Sequence, residues 1–193
     1  MPIEQEEDKA AERKKLILEW VKDIIIAVVI AVVIIQFIKP TIVKESSMEP
    51  NFYANNYLFI SKMSYKFGKT PQKGDVIVFR SNLLTENGNK KLLIKRVIGV
   101  AGDRIDIRDG KVYINGKVDK ATYTMSGYTS GSIEGLTVPK GKLFCMGDNR
   151  EVSIDSRFEE VGCVSVSKVV GKAVFRLFPI SKMGVIRNPY NSK

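Results

Sequence analysis

A chain of 193 residues with 31 Lys+Arg, 21 Asp+Glu and no histidine has room for one apolar anchor and one domain with its own core, and a second globular unit need not be invoked. Without imidazole there is no Ser-His-Asp or Cys-His catalysis and no histidine metal site, so any hydrolysis must find another base. The net charge of +10 suits nucleic acid, an acidic lipid surface or a solvated basic face. Five of the basic and seven of the acidic residues precede residue 39, so the basic excess lies beyond the apolar run, which favours the lipid surface. No zinc-finger spacing or basic helix with base-reading side chains supports a nucleic-acid partner.

Residues 1–19 are charged and read as a helical, cytoplasmic lead-in. From Ile24 to Ile38 only Gln36 interrupts an apolar run, which Trp20 and Val21 extend at the front and Lys39-Pro40 close. Residues 20–38 would cover about 28 Å as a helix, roughly one bilayer core, if Lys22 snorkels. The run ends without small residues at a cleavage site, so an uncleaved transmembrane anchor is expected rather than a signal peptide. Lys9, Arg13, Lys14, Lys15 and Lys22 precede the span and only Lys39 and Lys44 follow closely, which directs residues 39–193 to the extracytoplasmic side.

Residues 39–193 read as a β-rich domain. Short apolar or β-branched runs at 57–60, 75–79, 92–100, 142–146, 163–166 and 170–178 are separated by Gly, Pro, Asn and Ser. Residues 104–116 alternate by two and carry Asp109-Gly110 and Asn115-Gly116, strong hairpin signals. Residues 81–90 read as a long hairpin loop and 121–137 as a surface excursion. Cys145 and Cys163 have no metal spacing and are either buried small hydrophobes or one disulfide.

A serine becomes a nucleophile only when a neighbouring base takes its proton, and without histidine the plausible base is a lysine that burial has stripped of charge. Lys95 lies in the apolar run Leu92 to Val100, where alternation sets it on one face with Leu93 and Val97, and Arg96 on the other with Ile94 and Ile98. An edge-strand lysine that guards against aggregation would look the same. Ser46-Ser47-Met48-Glu49-Pro50 follows the anchor closely, so a hydroxyl there would be held at the bilayer surface. Residues 147–157 gather hydroxyls, carboxylates and two arginines, either as a solvated turn or as the polar support an active lysine needs.

Together Ser47-Met48-Glu49-Pro50, Gly74 to Phe79, Lys95 to Asp103 and Gly147 to Arg157 closely resemble the bacterial type I signal peptidases, membrane-anchored Ser-Lys endopeptidases. The single anchor and modest size look like the Gram-positive form. The resemblance implies a mostly β fold, one N-terminal transmembrane helix followed by an antiparallel β-sheet catalytic domain with an exposed apolar surface at the membrane. It implies Ser47 as nucleophile, Lys95 as general base, Ser153 as the hydroxyl that orients the lysine amine, and Asp155 with Arg157 as a supporting ion pair. Val43, Met48 and Ile94 match positions lining shallow substrate pockets, and Gly147, Asp148, Asn149 and Arg150 look architectural. The implied substrates are secretory preproteins emerging from the translocation machinery and cut after small residues, the implied setting is the bacterial cell membrane and its phospholipids, and no cofactor or metal is implied.

Two positions depart from the pattern. Glu45 stands where the family usually has Gly or Ser, and a carboxylate aimed at a developing oxyanion would repel it; either it points away or the enzyme is an impaired paralogue. Asn51 replaces a Thr and bears on local packing. A membrane-anchored β domain that binds partners without catalysis would require neither Lys95 in an apolar strand nor Ser153.

Overall fold

The computed structural model describes residues 2–66 and 68–190, the side chains of 2–11, 33 and 34 excepted. A single helix, α1 (Pro2–Phe37), runs through both the charged lead-in and the apolar run. Leu, Ile, Val and Ala of that run are good or tolerable helix formers with no Gly or Pro among them, so nothing in the backbone ends the helix before Phe37. Among the described residues no helix is long and apolar enough to cross a membrane. The side chains of residues 2–11, part of the expected lead-in, and of 33 and 34, inside the expected anchor, lie outside that description.

Residues 39–193 form a separate compact unit. Its strands, the first beginning at Ile38, are β1 (Ile38–Ile42), β2 (Tyr57–Ser61), β3 (Val76–Leu84), β4 (Lys90–Val100), β5 (Arg104–Arg108), β6 (Lys111–Ile114), β7 (Lys117–Val118), β8 (Ile133–Thr137), β9 (Lys142–Met146), β10 (Val164–Ser165), β11 (Val169–Phe178) and β12 (Gly184–Val185). The larger sheet has the order β1-β2-β11-β3-β4-β9-β10, with β12 paired to β11, and a smaller sheet has the order β7-β6-β5-β8. Every described pairing is antiparallel.

Turn chemistry explains the smaller sheet. Asp109 and Gly110 both take positive φ, 51° and 70°, the backbone that a two-residue hairpin turn demands and that Asp and Gly tolerate best. Ile105, Ile107, Val112 and Ile114 then share one face and pack with Ile98, Phe144 and Met146 of the larger sheet. Two expected irregular stretches are more ordered than the sequence suggested. The β3-β4 hairpin extends to Leu84 and Lys90, with a register shift after Arg80, and leaves only 85–89 as its turn. Within 121–137, Ile133–Thr137 pairs with β5 as β8, because Ile133 and Leu136 can pack against the core of that sheet.

The position of β4 matters most for chemistry. It lies between β3 and β9, so Lys95 is not on an edge strand. Ile77 stands directly opposite Lys95, and Leu93, Val97 and Cys145 pack with Ile77 in one apolar cluster on the same face.

Candidate active site

Three segments converge on one point. The first leaves β1 through Val43, whose amide and carbonyl bond the backbone of Asn56 and Asn55, and enters a single 3-10 turn, Ser46–Met48. Met48 is the apolar peg of that turn, fully buried with Val43, Phe52, Leu58 and Ile60, so the turn is fixed to the core and Ser47 is held at its edge. The second is β4, which delivers Lys95. The third is the loop after β9: the register that sets Arg96 opposite Met146 brings Gly147 to the position facing Lys95.

Lys95 Nζ donates to Ser47 Oγ at 2.6 Å. Among the described residues Lys95 is the only buried lysine, at 1% exposure. Burial in the apolar cluster pulls its pKa down to about 8 against the opposing pull of Asp155, Glu45 and Asp148, with Lys91 adding to the fall. A large share of the amine is therefore neutral in mildly alkaline solution, where it can accept the proton of the hydroxyl it touches.

The loop 147–157 is not a solvated turn. Asp155 is fully buried; its carboxylate accepts from the Gly147 amide at 3.0 Å and from Arg157 Nε and Nη2 at 2.8 and 3.0 Å. Arg157 in turn donates to the Ser153 carbonyl at 3.1 Å and to the carbonyl and hydroxyl of Ser130. The Asn149 amide donates to the Ser47 carbonyl at 3.1 Å, so the loop grips Ser47 by its own backbone. Ser153, the expected lysine-orienting residue, is buried at 2% exposure, yet its hydroxyl has no hydrogen-bond partner and does not bond Lys95. It sits against Gly147, where a Cβ would overlap both the Ser153 Oγ and the Ser47 carbonyl oxygen.

On the opposite face of β4, Arg96 forms a two-pronged ion pair with buried Asp148, Nε to Oδ1 at 2.8 Å and Nη2 to Oδ2 at 2.7 Å, and donates to the Gly74 carbonyl. Its guanidinium lies 4.4 Å from the centroid of the Tyr123 ring. Asn51 fits this network: its amide donates to Asp148 at 2.8 Å and to the Tyr123 carbonyl at 2.6 Å. The sequence set Arg96 on the far face of the strand but did not show its partners, and Tyr123 did not stand out, since nothing local announces partners so far along the chain.

A cleft of about 570 Å3 is walled by residues 39–45, which lead towards Ser47, on one side and by Lys90 to Ile94, which lead to Lys95, on the other. Val43 and Ile94 line it, whereas Met48 does not and belongs to the core. Glu45 and Lys91 also line it and form an ion pair with each other, so the carboxylate is directed to β4. The two cysteines are free, and burial pushes both thiols up.

A family model for signal peptidase, peptidase S26, matches residues 17–178. The chain belongs to the signal peptidase S26 family. Signal peptidase IB of Staphylococcus aureus (strain COL) is 34% identical over 198 residues, which cover 93% of this chain and 99% of that protein. Signal peptidase I of Bacillus licheniformis is 33% identical over 189 residues, covering 92% and 97%. A crystal structure of a signal peptidase I from Enterococcus faecalis V583 is 32% identical, with a TM-score of 0.43, and covers 54% of this chain and 97% of that one. As a signal peptidase the protein is a serine endopeptidase that removes signal peptides from preproteins.

Proposed function

We propose that Ser47 is the nucleophile and Lys95 the general base of this peptidase, a reading carried by the 2.6 Å bond between a buried lysine amine of lowered pKa and a serine hydroxyl. Neutral Lys95 takes the Ser47 proton as Oγ attacks the scissile carbonyl, then returns it to the leaving amine; water resolves the acyl-enzyme with Lys95 again as base. The Ser47 N–H, in the first turn of its 3-10 segment and thus without an intrahelical acceptor, is the donor to the oxyanion. Ser153 holds the lysine amine when it leaves Ser47. Its support is the buried unpartnered hydroxyl, which costs about 1–3 kcal/mol while unbonded and gains a partner once the amine turns to it. Asp155 and Arg157 fix the loop that carries it.

The substrates are secretory preproteins delivered by the translocation machinery, bound extended in the cleft between 39–45 and 90–94 and cut after small residues. The narrow apolar floor made by Val43 and Ile94 supports small side chains there. The protein is assigned to the bacterial cell membrane, with 1–19 cytoplasmic, 20–38 as a single-pass anchor and 39–193 extracytoplasmic. That topology rests on the apolar run, the basic residues before it, and a patch on residues 39–193. Tyr57, Leu177, Phe178, Ile180, Met183 and Val185 are exposed on the neighbouring β2, β11, β12 and the turn between the last two, more apolar surface than a water-facing sheet needs.

The test is cleavage of a secretory preprotein by the full-length protein in detergent and phospholipid. Ser47→Ala and Lys95→Ala should each lower turnover by roughly 10^4-fold or more while leaving the fold intact. Retained turnover in Lys95→Ala would overturn the assignment of the base.

A further inference from the structure

Glu45 occupies an unusual place for a carboxylate. It is the residue before the 3-10 turn that carries Ser47, in extended conformation at φ −123° and ψ 159°, and its side chain makes no hydrogen bond to the amides of that turn. The free amides at the start of a helical turn attract negative charge. Its carboxylate is instead paired with Lys91, four residues before Lys95 on the same strand and, by alternation, on the same face. Both side chains are exposed by more than a third, at 45% and 38%, so the pair adds little to stability and its value must lie elsewhere.

We propose that Lys91 is a positioning residue: by pairing with Glu45 across the cleft it keeps that carboxylate off the Ser47 amide, leaving the amide free for the oxyanion. The inference rests on Ser47 being the nucleophile. Released from Lys91, Glu45 can turn to the free amide of Ser47, two residues ahead in the chain, and a carboxylate bonded there both occupies the oxyanion donor and repels the charge that develops beside it. The penalty falls on the transition state rather than on substrate binding, so it enters kcat. The pair also faces the base. Burial lowers the Lys95 pKa, Asp155, Glu45 and Asp148 raise it, and Lys91 lowers it, so losing one partner of the pair and losing the other displace the base in opposite directions.

The experiment is a double-mutant cycle on the full chain with a preprotein substrate, with Ser47→Ala as the control. Lys91→Ala, and Lys91→Met with its stem retained, should lower kcat by about 10- to 100-fold with KM changed less than about twofold, and Lys91→Arg should restore it. In a Glu45→Ala background the further change Lys91→Ala should cost less than about twofold, the signature of one residue acting through the other. The pH midpoint of kcat should rise in Lys91→Ala and fall in Glu45→Ala. An equal loss in both backgrounds, a change confined to KM, or wild-type kcat in Lys91→Ala would each overturn the inference. Turnover surviving in Ser47→Ala would instead sink the nucleophile assignment on which it rests.

Discussion

The role proposed for Lys95 comes at a cost to the fold, and the two can be measured on one pH axis. With its pKa drawn from 10.5 down to about 8 by burial, the amine is protonated in both folded and unfolded chains below pH 8, and the folded state bears the full penalty of a buried charge. Between pH 8 and 10.5 the unfolded chain binds the extra proton, so stability rises with pH; above 10.5 the penalty is gone. The shift corresponds to about 3 kcal/mol, and the hydrogen bond to Ser47 offsets about 1. Lys95→Met should therefore be more stable than the wild type by about 2 kcal/mol at pH 7 in urea titrations, with the gap closing between pH 8 and 10.5. The same ionisation should appear in the wild-type rate, which rises with pH through an apparent pKa near 8; a flat profile would count against lysine as base. Lys95 was legible because period-two alternation marks a charge among Leu93 and Val97. The destination of Glu45 was not, because an ion pair between residues distant in the chain leaves no trace in local pattern.

At the scale of elements, the site depends on how closely the loop after β9 approaches the turn that holds Ser47. Gly147 is the point of closest approach, with the Ser153 hydroxyl and the Ser47 carbonyl where a side chain would be. Gly147→Ala must push one or both aside. A loss of about 1–3 kcal/mol in stability and a fall in kcat of about tenfold or more are expected, from thermal melts and preprotein cleavage respectively. Hairpins were the most legible elements: Asp109-Gly110 and Asn115-Gly116 state their turns in two residues each. β8 was hidden in a stretch of Thr, Ser and Gly because its partner β5 lies across a long excursion, and pairing at a distance rather than propensity makes Ile133–Thr137 a strand. Tyr123 and Thr129 were passed over in the same stretch; they meet Arg96 and Arg150 only once that excursion folds back.

For the molecule as a whole, the membrane role proposed for the apolar patch on β11 and β12 predicts that reaction at a membrane and reaction in solution respond differently to its loss. Ile180 and Val185 are its most exposed members, and each aliphatic side chain contributes about 1.5–3 kcal/mol when buried in lipid. Replacing both with Asp should lower cleavage of a vesicle-embedded preprotein by tenfold or more and leave cleavage of a short soluble peptide close to wild type. Equal effects on both substrates would remove the patch from the membrane reading. The order of the chain, an apolar run and then a β domain, was plain in the sequence, and the resemblance implied an exposed apolar surface, but its residues were not legible, because the patch is assembled from β2, β11 and β12.

The cleft has walls that are continuations of the proposed chemistry. Residues 39–45 run directly into the turn of Ser47, and Leu92 to Ile94 run directly into Lys95. An oversized side chain wedged between them has no separate pocket wall to push on; it spreads the segment that leads into the Ser47 turn from the strand that carries Lys95. Since the hydroxyl and the amine meet at 2.6 Å, a displacement of about 1 Å breaks their contact. Fidelity would then be enforced after binding: a peptide with a bulky residue at the cut occupies the enzyme without being turned over, and it acts as a competitive inhibitor of proper substrates rather than as a bystander.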